Sequence, residues 1–286
     1  MHSAVEAESA VQKARTRALV VPREHGAWGL LLVPLFTGLV AGFASSYRLL
    51  PLALFTITAL ALFWLRTPVE SLIGSSPIAA HTPRERFIAL FASIVLAAIA
   101  AVCLAALLWG WRNQGLLLVG GIAAVALVVQ AVLRKLGRST RMASQFVGSI
   151  GLTATAPAAY YLGSGRLDSH AIILWAANWA FACDQVHFVQ LRIHAGRASN
   201  FSEKFAKGKF FFLGQIALTL VLIFAALRQI IAPLVLVAFV PGLIRGTRWF
   251  FLPAAPLDVK KLGWSEMRQG IIFGVLLALA FVVHWQ

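Results

Sequence analysis

Nine apolar runs, near 26–43, 50–65, 87–110, 115–133, 145–162, 170–191, 210–227, 230–244 and 268–284, leave this chain few folds to choose from. Crossing about 30 Å of hydrocarbon takes roughly 20 apolar residues in a helix, and lipid offers no partner to backbone groups left outside one. The runs therefore predict an all-α fold, a polytopic transmembrane bundle of nine helices over 21–286, preceded by a cytosolic segment at 1–20. Composition agrees, since 60% of the 286 residues are hydrophobic, 12% are charged and mean hydropathy is +0.82. That is far too apolar for a soluble domain.

The net charge of +15 would suit a nucleic-acid binder if it were gathered on one polar surface. It is instead spread over alternate connections between the runs. Four basic residues precede the first run, and three, four, five and five lie in 66–86, 134–141, 192–209 and 245–268, which is 21 of the 25. Arg48, Arg112, Arg166 and Arg228 stand alone in the remaining connections. By the positive-inside rule the N-terminus is expected in the cytoplasm and the C-terminus outside, with an anionic inner leaflet as the partner and no nucleic acid. Residues 1–20 have no apolar core or small-residue cleavage site, so they do not read as a signal peptide. They are either a helix lying on the inner leaflet or an unstructured tail. Cys103 and Cys183 both sit inside apolar runs and read as small buried hydrophobes.

Chemistry-bearing residues are scarce in such a chain, which makes the exceptions informative. Ala176 through Arg192 carries Asn178, Asp184, His187 and Gln190 through an otherwise apolar stretch, and Asp184 is the sole carboxylate within any of the nine runs. A charge near the centre of a membrane helix costs about 2.5–3.5 kcal/mol on insertion scales, so it faces a partner or a cavity. Asp184 and His187, three residues apart, share a helix face. They are the expected acid–base pair, with Asn178, Gln190 and Arg192 as substrate-binding groups. At the mouth of the first run, Val21-Pro-Arg-Glu-His-Gly-Ala-Trp-Gly29 brings three adjacent ionisable groups together. Glu24 and His25 are expected to join the catalytic set and Arg23 the binding set. Arg66, at the end of the second run, is a further binding candidate, and Pro68 is expected to end the helix before Arg66 and Glu70 can pair across one turn. A metal held by Asp184, His187, Glu24 and His25 would need more carboxylates than these positions offer, so no metal is expected.

Pro22-Arg-Glu-His-Gly-Ala-Trp28, Arg66-Thr-Pro68 and Lys260-Lys-Leu-Gly-Trp-Ser-Glu266 resemble the YwiC-like membrane protein family. More distantly, the nine-helix plan is similar to the UbiA superfamily of intramembrane prenyltransferases, with Pro22 through Gly38 resembling its first helix and Ser149 through Leu162 its fifth. The likeness implies a multi-pass protein of the bacterial cytoplasmic membrane acting on an isoprenoid or other lipid from a cytoplasm-facing cavity. In that superfamily two Asp-rich motifs hold magnesium and a prenyl diphosphate. Here Asp184 matches the first acid of the second motif, whereas His187, Leu191 and Ala195 take the places of its Tyr and later acids, and the first motif has only Leu65-Arg-Thr-Pro-Val-Glu70. Magnesium would be short of ligands, and the cofactor stays undetermined. Two other function classes remain open: a lipid or small-molecule transporter, and a non-catalytic membrane partner or assembly factor.

Overall fold

The structure, a computed structural model, describes residues 12–22, 25–45, 48–74, 78–111, 113–196, 198, 200–253 and 257–284. Among them are ten helices of ten residues or more: α1 (His25–Ser45), α2 (Leu49–Ile73), α3 (Pro83–Ala105), α4 (Gly115–Lys135), α5 (Arg141–Thr153), α6 (Thr155–Ser164), α7 (Ser169–His194), α8 (Phe201–Leu227), α9 (Pro233–Phe251) and α10 (Val259–His284). No strand occurs among the described residues. Seven helices, α1–α4 and α8–α10, are long and apolar enough to cross a membrane, and the chain is a multi-pass membrane protein. Contacts divide it into two units, residues 1–24 with 49–113 and residues 25–48 with 114–286.

The first unit is the α2–α3 hairpin with a helical stretch at 12–20 laid against it. Ala18 and Leu19 of that stretch are buried, and its last carbonyls are used: Trp64 Nε1 donates to Val20 at 2.8 Å and Ser71 Oγ to Leu19 at 3.2 Å. Residues 1–11 of the predicted segment lie outside the described residues. α3 starts with a capping box, in which the Glu85 amide donates to Thr82 Oγ1 at 3.2 Å and Glu85 Oε2 accepts from the Thr82 amide at 3.3 Å. Arg15 Nε donates to the other Glu85 oxygen at 2.6 Å, tying the N-terminal stretch to the same cap.

α2 corrects one expectation. It runs through the buried Pro68 to Ile73, and Arg66 Nε reaches Glu70 Oε1 at 2.8 Å. A proline inside a helix strips out one hydrogen bond, to the carbonyl four residues back. Here Pro68 is fully buried and the helix continues on either side of it.

The second unit holds the other eight helices. α1 and α6 approach closely because Gly38, Gly42 and Gly163 leave their backbones bare: a Cβ on Gly42 would meet the Ala159 carbonyl oxygen at 2.7 Å, and one on Gly38 or Gly163 would strike Ala156 or Gly42. Small residues let membrane helices gain van der Waals contact that lipid cannot replace. Farther along, Phe181, Phe239 and Phe273 join α7, α9 and α10, with the Phe181 and Phe273 rings stacked at 3.8 Å between centroids.

The fifth apolar run, expected as one helix, is interrupted at Ala154 into α5 and α6, so among the described residues ten helices of ten residues or more stand where nine were expected. Pro157 offers no N–H to the Thr153 carbonyl, while the hydroxyls of Thr153 and Thr155 donate back to Ser149 at 2.8 Å and Leu152 at 2.9 Å. Both effects loosen the helical ladder there. The late helices also reach beyond their expected ends. α8 begins at Phe201, α9 runs to Phe251 and α10 begins at Val259, so charged residues expected in connections are helical.

Candidate functional site

α7 starts from Asp168, whose Oδ1 accepts from the amides of His170 at 3.0 Å and Ala171 at 3.2 Å, an N-cap that fixes where the helix begins. From that end α7 runs to His194 and sets Asp184 ten residues inside its C-terminus, about 15 Å at the usual rise. There the last four helices each contribute a polar side chain to one cluster. Asp184 Oδ1 accepts from Gln215 Nε2 of α8. Its Oδ2 lies 3.4 Å from Arg245 Nη2 of α9, and Arg245 Nη1 pairs with Glu266 Oε2 of α10. The side chains of Asp184 and Glu266 are 7% exposed and that of Arg245 12%.

The surroundings hold this arrangement. The Arg245 guanidinium lies 4.2 Å from the centroid of the Phe188 ring, a cation–π contact that covers one face of the charge. Gln185 Nε2 donates to the Glu266 backbone carbonyl at 3.0 Å, and Arg192 adds its attraction to the Glu266 carboxylate. On α9, Gly242 and Gly246 leave the room the cluster needs. A Cβ on Gly242 would come to 3.6 Å from Asp184 Oδ2, and one on Gly246 to 2.9 Å from the Phe211 ring and 3.2 Å from Gln215 Oε1. Burying ions costs several kcal/mol each unless partners offset it. Among the described residues, four side-chain atoms here have no hydrogen-bond partner: Arg192 Nε, Arg245 Nε, Gln215 Oε1 and Glu266 Oε1.

The sequence-predicted residues are only partly gathered at this point. His187 is half-buried between the rings of Phe146 and Phe211, with centroids at 6.2 and 5.2 Å, and no hydrogen bond among the described residues joins it to Asp184. Asn178 is 1% exposed; it donates to Thr37 Oγ1 at 3.0 Å and to the Leu174 carbonyl at 2.8 Å, tying α7 to α1. Its Oδ1 has no protein partner and it lines a narrow cavity with Gly29, Pro34, Phe181 and Gln185. Gln190 is buried on α7, where its backbone carbonyl lies 2.7 Å from His194 Nδ1. Arg66 belongs to the first unit, paired with Glu70. Arg23, Glu24 and the side chain of His25 lie outside the described residues.

Three members of the cluster escaped the sequence reading. Gln215 was legible in principle, as an amide deep in the apolar run 210–227. Arg245 and Glu266 were hidden by their neighbours, since the basic residues of 245–268 suit a cytoplasmic connection. Elsewhere the basic run after α7 turns out structural in part. Lys204 is buried, and its Nζ donates to the carbonyls of Trp249, at 3.2 Å, and Leu252, closing the C-terminal end of α9. Lys207 pairs with Glu203 at 2.7 Å.

The donor set does not fit the magnesium that the distant resemblance implies. Asp184 and Glu266 flank a guanidinium that already supplies the positive charge, and no group of three or more His, Cys, Asp or Glu side chains able to hold a metal occurs among the described residues. A near-octahedral oxygen shell has nothing here to build on.

Comparison with known proteins gives one match. The family model described as YwiC-like protein covers residues 21–160, from just before α1 into α6. The four helices that carry the cluster follow the matched region. No curated protein and no solved structure matches the chain.

Proposed function

We propose that this chain, a member of the YwiC-like family through residues 21–160, crosses the bacterial cytoplasmic membrane nine times and acts on an isoprenoid or other lipid substrate at the Asp184–Gln215–Arg245–Glu266 cluster. The nine crossings are α1–α4, α5 with α6 as one interrupted crossing, and α7–α10. The split of basic residues supports a cytoplasmic N-terminus.

The observation that carries the reading is the set of buried polar atoms without protein partners in a cluster that the bundle otherwise shields. Buried polar groups are nearly always hydrogen-bonded, and an unmade bond costs about 1–3 kcal/mol. Donors on Arg245 and Arg192 are suited to gripping the anionic end of a lipid, where cations stabilise a leaving phosphate. Asp184, the more loosely paired acid, is suited to exchanging a proton, with His187 one turn away. The reaction needs no bound metal in this scheme.

A second reading has support of its own, because a polar side chain from each of four helices also makes a staple. A membrane partner or assembly factor without a substrate would need no more. Asp184→Asn and Asp184→Leu separate the two in cells lacking the native protein. A working site is disabled by both changes while folded protein and its abundance are kept, and a lipid co-purifying with the native chain is lost from both. Rescue by Asn but not Leu would assign the cluster to the staple.

A further inference from the structure

Asp184 and Glu266 share one guanidinium unequally. Arg245 Nη1 pairs with Glu266 Oε2, while Nη2 stands 3.4 Å from Asp184 Oδ2. Among the described residues, Asp184 otherwise accepts from the neutral amide of Gln215. Two acids, each 7% exposed, thus share one guanidinium that lies closer to Glu266. Taking an ionised carboxylate out of water without a full partner is costly enough that the group neutralises instead.

We propose that Asp184 is a proton-binding site, holding a proton while Arg245 is paired with Glu266 and releasing it when Arg245 turns to Asp184. Proton uptake forms one O–H bond on Asp184 Oδ2. A hydronium ion or buffer acid supplies the proton and leaves its conjugate base in solution; no protein bond breaks and no electron moves. The Gln215 amide keeps its bond to Oδ1 in both states. Other groups that face the site are accounted for helix by helix. Among the described residues, α8, α9 and α10 contribute Gln215, Arg245 and Glu266, while on α7 the ionisable neighbours in sequence are Cys183, next to Asp184, and His187, held between the Phe146 and Phe211 rings. On α5, Ser149 lies beside Cys183 and Phe146 beside His187, and neither is ionisable; α1 meets α7 farther along, where Asn178 donates to Thr37 Oγ1. The device ties proton occupancy to the pairing of α7, α9 and α10, so it would couple the protein's work to protons whatever molecule the site handles.

Infrared spectroscopy of the full chain in lipid nanodiscs tests this directly. At neutral pH the native protein should show the C=O band of a protonated carboxyl group, and labelling the aspartate carboxyls with heavy carbon should shift it. The chain has three aspartates; the side chains of Asp168 and Asp258 are 33% and 48% exposed at helix starts, so a shifted band belongs to Asp184. Asp184→Asn should abolish the band. Glu266→Gln should abolish it too, because Arg245 is then free to pair with Asp184. The absence of an acid band, a band that the aspartate label leaves in place, or one that survives Glu266→Gln would each overturn the proposal, and the labelled native protein gives its answer even if a variant fails to fold.

Discussion

Replacing Arg245 by Gln leaves the Glu266 carboxylate and the Asp184 carboxyl group facing an amide in a setting where neither was more than 7% exposed. Removing one partner of a buried ion pair costs about 3–5 kcal/mol, more than the pair itself contributes over an apolar substitute. Arg245→Gln should therefore lower the unfolding temperature of the detergent-purified protein markedly. Adding Glu266→Gln should recover a substantial part of the loss, and thermal scans of the four proteins in that cycle measure the coupling. Two single changes whose losses simply add would show that the pair is not coupled. Lys204 is a useful contrast at the same scale. Its charge is equally buried, yet it faces the carbonyls at the end of α9 and the Trp249 ring at 5.1 Å, so it serves the helix end alone.

At the scale of elements, the glycines of α1 and α6 and those of α4 look alike in sequence and behave differently in the bundle. A methyl group on Gly42 would meet the Ala159 carbonyl at 2.7 Å, whereas Gly120 and Gly121 of α4 have nothing within 4 Å. Overpacking costs about 1–3 kcal/mol, while exchanging an unobstructed helical glycine for alanine is favourable by up to about 1 kcal/mol. Gly42→Ala should destabilise the protein and Gly120→Ala should leave it unchanged or steadier, as read by heat-induced aggregation in detergent. The close approach of α1 to α6 could not be read from Gly38-Leu-Val-Ala-Gly42 alone, since a small-residue spacing permits a contact without naming its partner. Pro68 and Pro157 make the same point from the opposite side. Each removes one backbone bond, yet α2 continues past the first and the fifth run is interrupted before the second, where two threonine hydroxyls also pull on the ladder.

For the molecule as a whole, the proposed nine crossings would put its ends on opposite sides of the membrane. A reporter active only outside the cytoplasm, fused after Gln286, should give signal, and one active only in the cytoplasm should not. The reverse pattern would mean an even number of crossings, with the broken α5–α6 segment or the polar α7 failing to span. The all-helical class, the multiple crossings and a polar side chain on α7 that must find a partner were legible in the sequence, because lipid imposes the length and composition of whatever crosses it and a lone carboxylate in an apolar run is conspicuous. The partners of that carboxylate were not. Arg245 and Glu266 look like connection residues in sequence because positive charge at a helix end is the ordinary signature of a cytoplasmic loop, and nothing local distinguishes a charge meant for water from one meant for a neighbouring helix. Only the packing of α7 through α10 decides that, bringing Asp184, Gln215, Arg245 and Glu266, separated by up to 82 positions, close enough for their charges and hydrogen bonds to meet.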